Sequence, residues 1–231
     1  MKPKHIDTAV SIDGYQLIRR DRKGRKAGGV ATYVRRSACR PTSAAEWPIR
    51  DLLPVYELLW VRITRGDEVT YVGALYHPPK PRYAAPDLVA IIEASIIRIQ
   101  HECAKCHIIL AGDFNTLPAQ EVVIATGLTP IVSQPTRGNS HLDHIFVSDL
   151  QYTGVKVVKS AVTTDHQAII ACQALICKKP LSVKIPRPLS VKALICKNSY
   201  FKNMYRSHVG HACVIYGSYI GHIWVIYGSY M

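Results

Sequence analysis

The sequence predicts a mixed-sheet domain of the α/β or α+β class. Several short segments have the alternating or continuously apolar pattern of β-strands, and one longer segment carries apolar residues at helical spacing. The strand patterns do not alternate strictly with helices, which favours a mixed sheet over a purely parallel one. With 231 residues, the chain is long enough for one domain with a substantial core.

The first half of the chain contains three strand patterns and one helix. A basic loop, RRDRKGRKAGG, covers Arg19 to Gly29 and leads into the alternating segment GVATYVRRS. LLPVYELLWVRIT and EVTYVGALYHPP predict two more strands, joined by a turn at Arg65-Gly66-Asp67. Pro86 and Asp87 then begin a helical pattern. Its apolar positions are Leu88, Ile91, Ile92, Ile96 and Ile99.

The next segments predict a buried strand and three further strands. HIILAGDFN, from His107, has four apolar residues and stops at Gly112. The three later candidates are HLDHIFVSD, VKVVKSAVT and DHQAIIACQ. CAKCH, just before the buried strand, matches the C-x-x-C-H spelling of haem attachment. The chain starts without an export signal, and only His141 and His144 lie near enough to complete a zinc site, so we expect neither haem nor zinc.

From residue 173 onward the sequence changes character. ALICK, PLSVK and GHxxVIYGSY each occur twice, the last as an eleven-residue repeat beginning at 210 and 221. Two copies are too few for a solenoid. We therefore expect a domain over residues 1–172 and a basic, poorly ordered tail over 173–231.

The charge of the chain favours a polyanionic partner. The formal net charge is +13, and residues 173–231 hold eight Lys or Arg and no acid. This excess of positive charge is typical of proteins that bind nucleic acid, although a solvated basic tail would give the same net charge. No apolar run is long enough to span a bilayer, and the seven cysteines have no regular spacing. We expect an intracellular protein of the nucleus or cytoplasm, without a membrane partner.

Acids at strand ends are the candidate active-site residues. Asp113 and Asn115 stand two apart after the buried strand, so in an extended segment they face the same way, and Gly112 would let a ligand approach the backbone. A simple Asx turn is the alternative at this point. Asp143 and the pair Asp165-His166 begin two later strands, and a carboxylate beside a histidine fixes its tautomer and raises its basicity.

Five segments in this order carry a family resemblance: GYQLIRRDRKGRKAGGVATYVRRS, YVGALYHPP, ILAGDFN, LDHIFVS and TTDHQAII. Over roughly residues 3–172 they resemble the endonuclease/exonuclease/phosphatase superfamily, and most of all the apurinic/apyrimidinic-like endonuclease domain of LINE-type, non-long-terminal-repeat retrotransposons. The resemblance implies a four-layer α/β sandwich, two mixed sheets flanked by helices. It also implies hydrolysis of DNA phosphodiesters that depends on Mg²⁺, with Mn²⁺ as the alternative ion.

The resemblance also implies residue roles. Asp113 would orient and deprotonate the attacking water, with Asn115 helping to hold it. His166 would contact the scissile phosphate while paired with Asp143, and Asp165 would belong to the metal region.

Two further sets of residues are implied to meet the DNA. Tyr76 matches a tyrosine that contacts the phosphate, although a half-buried strand aromatic is the plainer interpretation. The basic loop contains the candidate nucleic-acid-binding residues, and its charge favours DNA over a small phosphate as the substrate. These are Arg19, Arg20, Arg22, Lys23, Arg25 and Lys26.

The start of the chain departs from the family pattern. The family begins with a strand carrying an Asn and then a strand ending in its main metal-ligating Glu, and no residue here matches either. KPKHIDTAV resembles the segment that the family carries just after that Glu. We therefore expect a domain that lacks its first strand or strands and nicks DNA weakly or not at all. The alternatives are a non-catalytic nucleic-acid-binding remnant and a phosphatase of the same superfamily.

Overall fold

The computed structural model describes residues 11–22, 29–36, 42–47, 56–149, 152–160, 164–173, 213–218 and 221–228. These residues form twelve strands and two helices. The strands are β1 (Tyr15–Asp21), β2 (Gly29–Arg35), β3 (Thr42–Glu46), β4 (Glu57–Arg65), β5 (Glu68–Tyr76), β6 (His107–Asp113), β7 (Thr129–Pro130), β8 (Asp143–Val147), β9 (Tyr152–Val158), β10 (Ala168–Gln173), β11 (Cys213–Ser218) and β12 (Gly221–Gly228). The helices are α1 (Ala85–Glu102) and α2 (Ala119–Thr126).

The strands form two mixed six-stranded sheets. Sheet A has the order β1-β2-β12-β11-β10-β9, and sheet B has the order β3-β4-β5-β6-β8-β7. One pair in each sheet is parallel, β10 with β11 and β5 with β6, and the other pairs are antiparallel. This arrangement confirms the expectation of mixed sheets.

Two hydrophobic clusters hold the layers together. One cluster lies between the sheets and joins residues such as Val34 and Ile169 of sheet A to Val72 and Ile109 of sheet B. Because side chains alternate along a strand, the neighbouring residues of β5 and β6 face the opposite side of sheet B. That side is covered by the helices. Each large side chain buried in this way contributes about 1.5–3 kcal/mol.

Helix α1 confirms the helical pattern predicted from Pro86. Leu88, Ile92, Ile96 and Ile99 are all buried, so one face of the helix lies against sheet B. Pro86 suits the first turn, where a backbone N–H has no partner within the helix. After α1, the CAKCH segment leads into β6, as expected, and Cys103 and Cys106 are free thiols.

Three features differ from the expectations. Arg19 to Asp21 belong to strand β1 and not to the basic loop, whose residues 23–28 lie outside the described residues. Both described helices lie on sheet B, so the structure shows three of the four expected layers. Two segments of the tail, β11 and β12, pair inside sheet A, whereas no strand was predicted there.

Residues 174–212 of the tail lie outside the described residues, and the domain boundary near residue 172 stays a prediction. Across the described residues, no helix combines the length and apolar character that crossing a membrane requires.

Candidate active site

One end of sheet B carries a row of polar side chains. Glu57 begins β4, Tyr76 ends β5, Asp113 ends β6 and Asp143 begins β8. In the register of the sheet these residues are direct neighbours, Glu57 to Tyr76, Tyr76 to Asp113 and Asp113 to Asp143. The mixed strand directions therefore bring residues that are distant in sequence to one edge.

His166 comes to this row from sheet A. It lies two residues before β10, and its Nδ1 is 2.9 Å from Asp143 Oδ2 and 3.2 Å from Oδ1. Asp113, Asp143 and His166 are each at most 3% exposed. Their ligand atoms all lie within 4.8 Å of one another. The structure therefore brings together three of the sequence-predicted residues in one buried cluster between the two sheets.

Thr136 fixes the two halves of the cluster to each other. Its Oγ1 accepts a hydrogen bond from the Asp143 backbone N–H at 3.0 Å, and its carbonyl accepts one from the Gln167 N–H at 2.7 Å. The side chain is fully buried. Thr136 was not predicted as a site residue, because a lone threonine in a loop gives no sequence signal of these two long-range bonds.

Gly112 allows close packing of β5 and β6, a reason for the glycine that was not predicted from the sequence. A Cβ at this position would lie 1.9 Å from the carbonyl oxygen of Leu75 on β5. Such an approach is far inside any real contact, so every other residue would push β5 and β6 apart. The glycine therefore lets the strands that carry Tyr76 and Asp113 lie side by side.

Asp113 and Asn115 form a turn and also support the site. The Asn115 backbone N–H donates to Asp113 Oδ1 at 2.9 Å, which is an Asx turn made by Asp113. Asn115 has a φ of 43°, a left-handed conformation that asparagine tolerates. Its Nδ2 donates to the His77 carbonyl at 2.8 Å. The structure therefore shows the Asx turn, and the role of Asn115 in the reaction stays a prediction.

The cluster shifts the protonation of its members. Burial, reinforced by the charge of Asp143, raises the pKa of Asp113 to about 7, although His166 and Asn115 oppose the rise. Burial alone would lower the pKa of His166, but the hydrogen bond and charge of Asp143 raise it. Asp113 can therefore exchange a proton near neutral pH, while His166 is favoured in its charged form.

Tyr76 lies beside the cluster and meets a buried ion pair. Arg22 places its guanidinium 5.6 Å from the centre of the Tyr76 ring and pairs with Glu57 at 2.7 Å. Burial and the charge of Asp113 raise the pKa of Tyr76, and Arg22 lowers it. The tyrosine is half-buried, as the plainer interpretation held, and it also adjoins Asp113 in the register.

The remaining predicted residues lie outside the cluster. Asp165 is exposed and forms an ion pair with Arg137. Although partial burial opposes it, a backbone hydrogen bond and Arg137 lower the pKa of Asp165.

The described arginines of the predicted DNA-binding set are all engaged within the protein. Arg19 pairs with Asp21 at 3.3 Å, Arg20 donates to the Leu58 carbonyl at 2.8 Å and Arg22 is held by Glu57. Lys23, Arg25 and Lys26 lie outside the described residues.

The cluster has the chemistry of a divalent-metal site. Two buried carboxylates supply hard oxygen ligands, and their oxygens lie within 4.8 Å of each other and of a His166 ring nitrogen. The cluster of Asp113, Asp143 and His166 therefore fits an ion such as Mg²⁺ bound beside it.

Comparison with known proteins identifies the family. Residues 6–166 match the model of the Endonuclease/Exonuclease/phosphatase family. The chain belongs to this family. Hydrolases of the family are metal-dependent phosphodiesterases, and the buried cluster of the chain is consistent with that chemistry. No curated protein sequence matches the chain.

The fold of the chain is similar to that of a solved endonuclease domain. The endonuclease domain of TRAS1, a telomere-specific non-LTR retrotransposon, matches with a TM-score of 0.50 and 15% identity, over 68% of this chain and 76% of that one. TDP2 of D. rerio, complexed with a single-strand DNA product, matches with a TM-score of 0.47 and 12% identity, over 72% of this chain and 80% of that one. At these identities, the likeness to TRAS1 concerns the fold of the family and not a shared role.

Proposed function

We propose that this chain is a divalent-metal-dependent DNA endonuclease of the retrotransposon kind, which nicks a phosphodiester bond and leaves a 3′-hydroxyl. The observation that carries the proposal is the buried Asp113–Asp143–His166 cluster, assembled from both sheets. The family match to residues 6–166 and the fold shared with the TRAS1 endonuclease domain support it.

Asp113 is the proposed proton acceptor. Its pKa of about 7 lets it take a proton from an attacking water near neutral pH, which is where a general base works best. The backbone N–H of Asn115 holds Oδ1 of this carboxylate and so fixes its orientation. Protonation of Asp113 below its pKa should therefore reduce the reaction rate.

His166 is the proposed contact to the phosphate. Its Nδ1 is held by Asp143, which leaves Nε2 as the nitrogen assigned to a phosphate oxygen. Asp143 also raises the pKa of the ring and so favours the charged form, which stabilises the negative charge that develops on the phosphate. A Mg²⁺ ion bound beside the cluster would supply further neutralisation of this negative charge.

Nucleic-acid binding without cleavage is the second candidate function. Asp165, to which the family resemblance gives a metal role, pairs with Arg137 at the surface and is not part of the buried cluster. The pairing reduces the acidic groups available to an ion, and it favours slow cleavage or none. The two candidates differ in a simple observation, because only the endonuclease produces nicks that depend on Mg²⁺.

Cleavage of a labelled DNA duplex tests the proposal. We expect strand cuts with Mg²⁺ and none with a chelator, with 3′-hydroxyl ends. His166→Ala should lose about 10²–10³-fold in rate, the usual cost of removing one positioned group that stabilises charge in the transition state. His107→Ala is the matched control, because His107 forms the other described Asp–His pair, with Asp149 at the opposite end of β6.

Two outcomes would contradict the endonuclease. Equal cleavage by the His166 and His107 variants would show that the cluster does not do the chemistry. DNA binding with no Mg²⁺-dependent cut would favour the binding remnant.

A further inference from the structure

The loop between β5 and α1 leaves sheet B at the candidate active site. This loop, residues 77–84, has the sequence HPPKPRYA and comes directly after Tyr76. The His77 N–H donates to the Asp113 carbonyl at 2.8 Å, and the His77 carbonyl accepts the hydrogen bond from Asn115 Nδ2. The base of the loop is therefore bonded on both sides to the turn that carries the proposed general base.

The loop is held in one conformation at its far end as well. The Tyr83 hydroxyl is 3.0 Å from His77 Nδ1, and the Tyr83 ring lies 4.6 Å from that of Tyr56. Between these anchors stand three prolines, 78, 79 and 81, each of which restricts the backbone. A loop restricted in this way loses little further conformational entropy when it binds a ligand.

Two cations stand on this restricted loop. Lys80 and Arg82 are exposed, and within the part of the chain that the structure describes no acid pairs with either. The arginines on the other sides of the site differ, because Arg22 is neutralised by Glu57 and Arg137 by Asp165. Among the described residues, Lys80 and Arg82 are therefore exposed cations next to the site that no acid neutralises.

We propose that loop 77–84 binds the sugar-phosphate backbone of the nucleic-acid substrate, with Lys80 and Arg82 contacting phosphates beside the one that is cut. The proposal rests on the proposed function, since it takes DNA as the substrate. It adds residues outside the predicted basic set at Arg19 to Lys26. Contacts of this kind position the strand and carry no base sequence information.

A salt titration of binding tests the proposal. Anisotropy of a labelled duplex, measured with a chelator between about 50 and 200 mM salt, gives the slope of log K against log salt. Each phosphate contact contributes about 0.9 to this slope for duplex DNA, so Lys80→Gln with Arg82→Gln should reduce it by about 1.8. Since the two side chains are exposed, the substitutions should leave the fold intact.

The matched control removes the same two charges elsewhere. Arg36 and Lys105 are exposed, and they adjoin the ends of β2 and β6 that lie away from the site. Arg36→Gln with Lys105→Gln should leave the slope within about 0.5 of the original, because distant charges act only through screened fields. Equal slopes for the two double variants would overturn the loop assignment.

The same titration separates this inference from the proposed function. If the chain nicks DNA with Mg²⁺ but the two double variants give equal slopes, the proposed function stands and the role of the loop is refuted. A chain that binds no DNA at any salt concentration overturns both. If only the Lys80/Arg82 variant has a reduced slope and the chain shows no Mg²⁺-dependent nicking, the role of the loop in binding is supported. The chain is then a DNA-binding protein without nuclease activity.

Discussion

At the residue scale, the site depends on a carboxyl group whose burial disfavours its ionised form. Asp113 is 2% exposed and adjoins a second buried carboxyl group. Burial disfavours its ionised form, and the charge of Asp143 adds to this effect. The same environment that gives Asp113 a pKa suited to proton transfer should therefore cost the fold stability once the group ionises.

The pH dependence of the free energy of unfolding tests this loss of stability. The pKa of Asp113 rises from 3.8 to about 7 on folding, so between these values the folded state holds a proton that the unfolded state has lost. Stability should fall as pH rises from about 4 to about 7. The raised pKa of His166 acts in the same direction, because its stabilising proton is lost as pH rises.

Asp113→Asn removes the first of these effects. We expect the variant to melt at a higher temperature than the original chain at about pH 8 and at a similar temperature at about pH 4, as thermal unfolding across pH would show. Asp149→Asn, which removes a carboxylate outside the cluster, is the control and should keep the fall in stability that Asp113 causes. Parallel profiles for Asp113→Asn and the original chain would refute the raised pKa.

At the element scale, sheet A is completed by strands from the tail. β12 lies between β2 and β11, and β11 pairs with β10, the strand that comes after His166. The hairpin 213–228 therefore joins two pairs of strands that have no direct pairing with each other in the described sheet. β12 also lies against β5 and β6, which carry Tyr76 and Asp113.

A proline in β12 tests whether this hairpin belongs to the folded unit. Val225 pairs with Thr32 of β2 and Val214 of β11, and proline would remove its N–H from an interior strand. Val225→Pro should lower Tm by about 2–4 °C for each kcal/mol lost, and by more than Val225→Thr, which keeps the backbone N–H. Similar melting of both variants would instead support the poorly ordered tail expected from the sequence.

Local patterns explain which elements could be predicted from the sequence. β6 and α1 were predicted because continuous apolar residues and helical spacing are visible within a few residues. The C-terminal half of β1 was predicted as a loop because Arg19 and Arg20 are typical of solvated charge. Arg20 in fact reaches the Leu58 carbonyl of sheet B. The hairpin was not predicted, since its pairing partners lie far away in sequence.

The candidate site divides in the same way. The sequence predicted Asp113, Asp143 and His166 as site residues, because acids next to apolar strand patterns can be recognised in the sequence. Thr136, Glu57 and the loop 77–84 were not, because their importance comes from bonds to distant segments. The metal role of Asp165 and the DNA role of Lys23, Arg25 and Lys26 stay predictions.

At the scale of the whole molecule, the proposed chemistry depends on the packing of two sheets. Sheet B supplies both carboxylates, and sheet A supplies the histidine that binds one of them. The interface between the sheets is apolar and continuous, so it fixes the separation of these groups. A change of about 1 Å in that separation can cost about 10²-fold in rate.

The rate of plasmid nicking with Mg²⁺ by Asp143→Asn and Asp149→Asn tests the central claim most directly. Each substitution removes the carboxylate of one Asp–His pair. Asp143 begins β8 and Asp149 follows the end of β8, but only Asp143 lies in the cluster. We predict that Asp143→Asn nicks supercoiled plasmid about 10²–10⁴-fold more slowly than the original chain, because His166 loses its charge partner, while Asp149→Asn nicks at nearly the original rate. Nicking by Asp143→Asn at the original rate, or an equal loss in both variants, would contradict the assignment of this cluster as the catalytic site.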